Sequence, residues 1–278
     1  MKYKFLTIFL SIFTILSCNI SSEKVFDELS IIIISSDLSI GENIINFAVL
    51  DINGNQINDN LDEVKLKNLK SNNETIISAE YQNWFKGKGA YNTKVKLNES
   101  GFHELIISLN KYESKAIFNV NLNSVTPKIG EKPPIIKTLT ANSELELKNI
   151  TSDPNPEIDL YRSSYEESIN NDNPTIVLFS TPALCVSGTC GPILENLKKI
   201  KKEFVNYNYI HVEVYKNFVG KTLRDLDSLE VTDPVKKWGL PTEPWIFFLD
   251  KHGVLKAKFE GFISENDLIN ELNQLENF

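Results

Sequence analysis

The sequence predicts two folded parts, an all-β sandwich followed by an α/β domain built on a central mixed sheet flanked by helices. Three observations carry that expectation. Between Ile31 and Val125, short runs that alternate apolar and polar residues are separated by turn residues, with no helical period between them. A proline-rich stretch from Thr126 to Pro134 then interrupts the strands. Beyond it, apolar runs of strand length alternate with segments of helical period. At 278 residues the chain is also longer than one ordinary core requires. The expected boundaries are residues 1–18 for a leader, 24–125 for the sandwich, 126–157 for a connector and 158–278 for the α/β domain.

The leader differs in kind from the rest of the chain. Lys2 and Lys4 make a short cationic start, and Phe5 to Leu16 is an apolar run. That run is too short to cross a hydrocarbon layer of roughly 30 Å as a helix, so it reads as an export signal. It ends Ile15-Leu16-Ser17-Cys18, which resembles the lipobox of bacterial lipoproteins. The resemblance implies cleavage before Cys18, acylation of its thiol, and a protein tethered by lipid on the extracytoplasmic side of a bacterial membrane, facing periplasm or cell surface. Of the three cysteines, Cys185 and Cys190 then remain as a pair, in a compartment where a disulfide persists.

In the sandwich, Asn43 to Asp51 is a strand followed by Asn53-Gly54, a hairpin signal, and Asn92 to Leu97 alternates before the turn Asn98-Glu99-Ser100-Gly101. Phe102 to Leu109 and Ser114 to Leu122 alternate in part. Strands at this spacing predict a sandwich of immunoglobulin-like size, a module that implies no reaction. Tyr81, Trp84, Phe85, Tyr91 and Phe102 read as packing residues and His103 as a strand or surface histidine.

In the second half, Tyr165 to Ile169 reads as a short helix and Thr175 to Ser180 as a strand buried on both faces. Pro192 to Phe204 keeps helical period, with proline where a helix start favours it. Strands follow at Tyr209 to Tyr215 and Trp245 to Leu249, a turn at Lys251-His252-Gly253, a strand at Val254 to Glu260, and a helix at Glu265 to Leu275.

That order, over about Leu160 to Phe278, resembles the thioredoxin fold. Val177-Leu178-Phe179 leads through Ser180-Thr181-Pro182 to Cys185 and then Cys190-Gly191-Pro192, while Pro241-Thr242-Glu243-Pro244-Trp245 precedes the hairpin strand. The longer phrases around these residues look like those of bacterial thioredoxin-domain proteins with a sandwich module in front. The resemblance implies a redox pair at Cys185 and Cys190, with Pro244 as the cis-proline that faces it. The departure is spacing: four residues, Val186-Ser187-Gly188-Thr189, separate the cysteines in place of the usual two.

A thiolate is the reactive species, and free backbone N–H groups at a helix start favour negative charge. Cys190 stands where that field is strongest, whereas Cys185 follows the strand at the interval of the family's attacking cysteine, so attacker and resolver stay unassigned. Phe179 occupies the place of the acid that thioredoxins often bury. His211, on the neighbouring strand, is a candidate base or thiolate partner. Glu195, Glu213 and Glu243 are expected to face solvent or sit at helix ends.

The leading function is thiol–disulfide exchange on protein thiols or disulfides, without a cofactor. One alternative is copper carriage by Cys185, Cys190 and His211, a soft ligand set, although Met1 is the only methionine. Another is a binding module with a structural disulfide. The net charge of −8 argues against nucleic acid as a partner. No glycine-rich phosphate loop follows a strand and no Cys-x-x-Cys-His occurs, which argues against nucleotide and haem chemistry.

Overall fold

The computed structural model describes residues 28–84 and 87–276. The leader, Cys18 and Phe85 lie outside the described residues. Among the described residues no helix is long and apolar enough to cross a membrane.

Eight strands come first: β1 (Leu29–Ile33), β2 (Gly41–Asp51), β3 (Glu63–Asn68), β4 (Glu74–Ile77), β5 (Glu80–Asn83), β6 (Gly89–Leu97), β7 (Gly101–Leu109) and β8 (Tyr112–Val120). They form two four-stranded antiparallel sheets, ordered β1-β2-β6-β5 and β4-β3-β7-β8. Alternation along each strand sends one set of side chains inward. Ile45, Phe47 and Val49 of β2, Val64 and Leu66 of β3, Tyr91 of β6, and Leu105, Ile107 and Leu109 of β7 share one buried core. Tyr91 stacks on Phe47 with ring centroids 5.3 Å apart, and its hydroxyl donates to the Asp59 carbonyl at 2.6 Å. Phe102, by contrast, is 63% exposed, because it stands on the outer face of β7. His103 is buried on the inner side, between Asn68 Nδ2 at 3.2 Å and the Gly101 carbonyl at 3.1 Å. Asn53-Gly54 makes the expected tight turn, but its return leg is a single bridge, Leu50 to Gln56, and β3 crosses to the other sheet.

The rest of the chain carries α1 (Glu144–Leu147), α2 (Tyr165–Ser168), β9 (Thr175–Phe179), α3 (Cys190–Ile200), β10 (Asn208–Val212), α4 (Asp233–Trp238), β11 (Trp245–Leu249), β12 (Leu255–Glu260) and α5 (Glu265–Leu275). The four strands form a mixed sheet, β10-β9-β11-β12, with β9 parallel to β10 and antiparallel to β11. β9 and β11 are buried at every position, so both faces need cover. Ile176, Leu178, Ile246 and Phe248 point to the face covered by Ile193, Leu194 and Leu197 of α3 and by Leu268 and Leu272 of α5. Val177, Phe179 and Phe247 point to the other, where Tyr165 of α2 and Val235 and Trp238 of α4 close the core. α3 begins two residues before the expected proline, at Cys190 itself.

Residues 126–157, expected to connect, pack as part of this core. Ala141 and Leu147 are buried in it, the Pro134 carbonyl accepts from Trp238 Nε1 at 3.0 Å, and the Thr138 hydroxyl accepts from the Tyr165 N–H at 3.0 Å. Proline density rules out a ladder strand but not burial. Where α4 ends, Gly239 has φ +66° and a Cβ there would strike the Val125 carbonyl oxygen, so only glycine lets the chain leaving the sandwich pass so near.

Candidate redox site

β9 delivers the chain to the site. Its last link to β10 is the Ser180 N–H on the Val212 carbonyl at 3.1 Å, after which the backbone turns through Thr181 and Pro182 to Cys185. Gly188, at φ +70°, bends the loop back to the start of α3, with its N–H on the Cys185 carbonyl at 3.2 Å. Cys185 and Cys190 are joined in a disulfide, Cα to Cα 5.9 Å. The two sulfurs are not equivalent. Cys190 is fully buried, whereas Cys185 is partly exposed next to Val186, which is 79% exposed.

The opening N–H groups of α3 have no side-chain cap and no acidic residue in the first turn to offset them. The Cys190 N–H donates to Cys185 Sγ at 3.3 Å, and the Ser187 hydroxyl lies 3.2 Å from the same sulfur. The field of the helix start therefore falls on the exposed cysteine, although the helix begins at the buried one.

Of the acids expected to face solvent, Glu243 is half-buried against Cys190 and Glu213 is buried, which corrects that expectation for both. Glu243, joined to Pro244 by a cis peptide, places Oε2 3.7 Å from Cys190 Sγ. Glu213, one residue past β10, is 4% exposed; its Oε2 accepts from the Ser152 N–H at 2.6 Å and its Oε1 has no hydrogen-bond partner. Burial pushes the Glu243 carboxyl up to about 7, and the nearby Glu213 charge adds to that. Burial likewise pushes Glu213 up to about 7. Glu195 is a surface partner of Lys198 on α3, 2.7 Å from its Nζ.

His211 sits on β10, buried, behind Ser180. Its Nε2 lies 2.9 Å from the Ser180 hydroxyl and 3.1 Å from the Ser180 carbonyl, and its Nδ1 lies 2.6 Å from the Tyr161 hydroxyl. Burial pushes this imidazole down to about 4. The structure thus gathers Cys185, Cys190 and the Glu243-Pro244 step, and holds His211 in a separate set of hydrogen bonds. Among the described residues no group of three His, Cys, Asp or Glu side chains is assembled as a metal site would need.

Ser152 is the site residue that the sequence does not single out, and it carries no local signal. Glu213 and Glu243 are among the acids expected to face outward; for Glu213 the contrary signal is its place between Val212 and Val214.

No family model and no curated protein matches the chain. Solved structures do. A thio-disulfide isomerase from Thermus thermophilus superposes with a TM-score of 0.33 at 16% identity, covering 54% of this chain and 97% of that one. DsbF of MTB, in its mixed oxidized and reduced forms, gives 0.32 at 14% identity over 42% and 90%. The exposed lipoprotein thioredoxin of Streptococcus pneumoniae gives 0.27 at 16% over 37% and 86%.

Proposed function

We propose that this chain is an extracytoplasmic thiol–disulfide oxidoreductase, with Cys185 as the attacking thiol and Cys190 as the resolver on a thioredoxin-like domain behind an immunoglobulin-like sandwich. One observation carries the reading: a disulfide whose exposed sulfur accepts a helix-start N–H while its buried sulfur lies against a protonatable carboxyl. In the dithiol form, the Cys185 thiolate attacks one sulfur of a substrate disulfide, that S–S bond breaks, and the leaving thiolate takes a proton from water. Glu243, as carboxylate, removes the Cys190 proton. Cys190 then attacks Cys185 Sγ and expels the second substrate thiolate. The substrate gains two electrons, the protein loses two, and the Cys185–Cys190 bond results; the reverse sequence oxidises a dithiol. Pro244 borders the approach of the substrate polypeptide.

Copper carriage is not favoured, because both His211 nitrogens are engaged by Tyr161 and Ser180. A purely structural bridge is not favoured either, since so short a loop restrains little chain entropy.

In an insulin-reduction assay driven by dithiothreitol, wild-type protein is expected to accelerate turnover. Cys185→Ser and Cys190→Ser are expected to return it to background, and Cys190→Ser to accumulate a mixed disulfide at Cys185. Unchanged turnover in both variants removes this reading.

The same proposal places the chain on a membrane through acylated Cys18. Cells expressing the wild type are expected to incorporate labelled fatty acid into the protein and retain it in the membrane fraction, with both lost in Cys18→Ala. Retention of label in that variant would refute the anchor.

A further inference from the structure

The loop carrying Glu243 and Pro244 is held from outside its own sheet. Thr242 is exposed, yet its hydroxyl is engaged in both directions: it donates to Glu260 Oε1 at 2.5 Å and accepts from Trp245 Nε1 at 3.1 Å. Glu260 ends β12, opposite Trp245 in the β11 pairing, and is 8% exposed. Both its oxygens are claimed by one residue of the N-terminal half. Ser36, between β1 and β2, donates its N–H to Oε2 at 2.7 Å and its hydroxyl to Oε1 at 2.6 Å. Asn46 of β2 adds its amide on the Glu260 carbonyl at 3.3 Å, and the Gly261 N–H returns to the Pro244 carbonyl at 2.9 Å.

Alongside, Asp37 is enclosed by donors. Its carboxylate accepts from the hydroxyl and N–H of Thr126, at 2.6 and 3.0 Å, and from the Val125 N–H at 3.0 Å, with Lys258 Nζ of β12 at 3.4 Å. Burial opposes this charge, but these donors and the Lys258 ammonium hold the carboxyl below its usual range. A buried, satisfied polar contact of this kind fixes one geometry of approach, because any other leaves desolvated groups unpaired.

We propose that the N-terminal sandwich is a positioning element of the redox site: Ser36, acting through Glu260, pins Thr242 and so holds the Glu243 carboxyl against Cys190. Ser36 and Glu260 touch no reacting atom; they are positioning residues. The inference rests on the proposed roles of Glu243 and the cysteines. With Ser36 lacking its hydroxyl, Glu260 Oε1 keeps only the Thr242 donor and Thr242 loses the Ser36 oxygen 3.4 Å away, so the loop is held less tightly and the Glu243 carboxyl gains access to water. Glu243 faces Cys190 from α3, Thr181 from the β9 to α3 connection, Glu213 and Tyr215 from the segment after β10, and Glu260 by way of Thr242. Of these, only the path through Thr242 leads to the sandwich.

The test tracks alkylation of the Cys185 thiol by iodoacetamide in the reduced full-length protein, from pH 5 to 10, read by mass spectrometry. It requires no turnover, so it is independent of the exchange assay. The wild-type profile is expected to contain a step from Glu243, which Glu243→Gln removes. Ser36→Ala is expected to move that step down by about half a pH unit or more, as solvation relieves the carboxyl. Ser36→Thr, which keeps the hydroxyl, is expected to restore it. Lys94→Ala, which removes a different contact between the halves, Lys94 to Glu271 at 3.7 Å, is expected to leave it in place. Ser36 is at the surface, so its variants will fold. A Ser36→Ala step at the wild-type position overturns the proposal. So does an equal shift in Lys94→Ala, which would trace the effect to docking in general. A Glu243→Gln profile identical to wild type overturns it as well, by leaving the clamp nothing to position, and does so whether or not insulin is reduced.

Discussion

Replacing Lys198 by alanine is expected to destabilise the protein by about 3 to 5 kcal/mol, the scale for stranding one member of a buried ion pair. Lys198 Nζ lies 2.6 Å from Asp153 Oδ2, with side-chain exposures of 5% and 2%, and also donates to the Asn155 carbonyl at 2.9 Å. These bonds fasten the 151–155 segment onto α3, and the same segment supplies the Ser152 N–H that covers Glu213. Without the ammonium, Asp153 loses its cation in a buried site and the segment loses its tie to α3. Urea denaturation is the measurement. The double variant Lys198→Met with Asp153→Asn is expected to be more stable than Lys198→Ala alone, since no charge is left stranded. Equal stability of Lys198→Ala and wild type would show that the segment is held by other contacts.

Glu213→Gln is expected to stabilise the protein at pH 8 by up to about 3 kcal/mol and to leave it near wild type at pH 4.5. The folded carboxyl keeps its proton up to about 7, against 4.5 for the ordinary group. A raised value means that the native state binds more protons than the unfolded chain across that window. The associated stability is complete below about 4.5 and is lost as pH rises through 7, where the folded protein carries a buried carboxylate with one unpartnered oxygen. Glutamine never ionises and escapes that penalty. His211 works in the other direction. Its folded value, about 4, lies below the ordinary 6.5, so its stability is complete above 6.5 and is lost as pH falls through 4. Urea midpoints at the two pH values check the glutamine variant, and equal differences from wild type at both would refute the assignment.

Much of the C-terminal sheet was legible. Trp245–Leu249 and Glu265–Leu275 fall on the residues that the apolar run and the helical period marked, because those signals report which face of an element is buried. The position of Pro244 came from its place before the hairpin strand, and the cysteine pair from elimination once Cys18 is set aside in the leader. Periodicity is silent about what surrounds the end of a strand. Glu213 is buried under Ser152 and Glu243 is half-buried beside the turn after β9, partners distant in sequence, so an acid that looks surface-bound in its own segment ends up partly or wholly enclosed. The roles of the two cysteines were unreadable for a related reason. A helix start aims its N–H groups outward, and the sulfur they reach belongs to a residue five positions earlier.

Gly239 has a mechanical consequence. The Val125 carbonyl lies where a Cβ would stand, so any side chain at position 239 would push the strand-exit segment off the end of α4 and disturb the seat of one half upon the other.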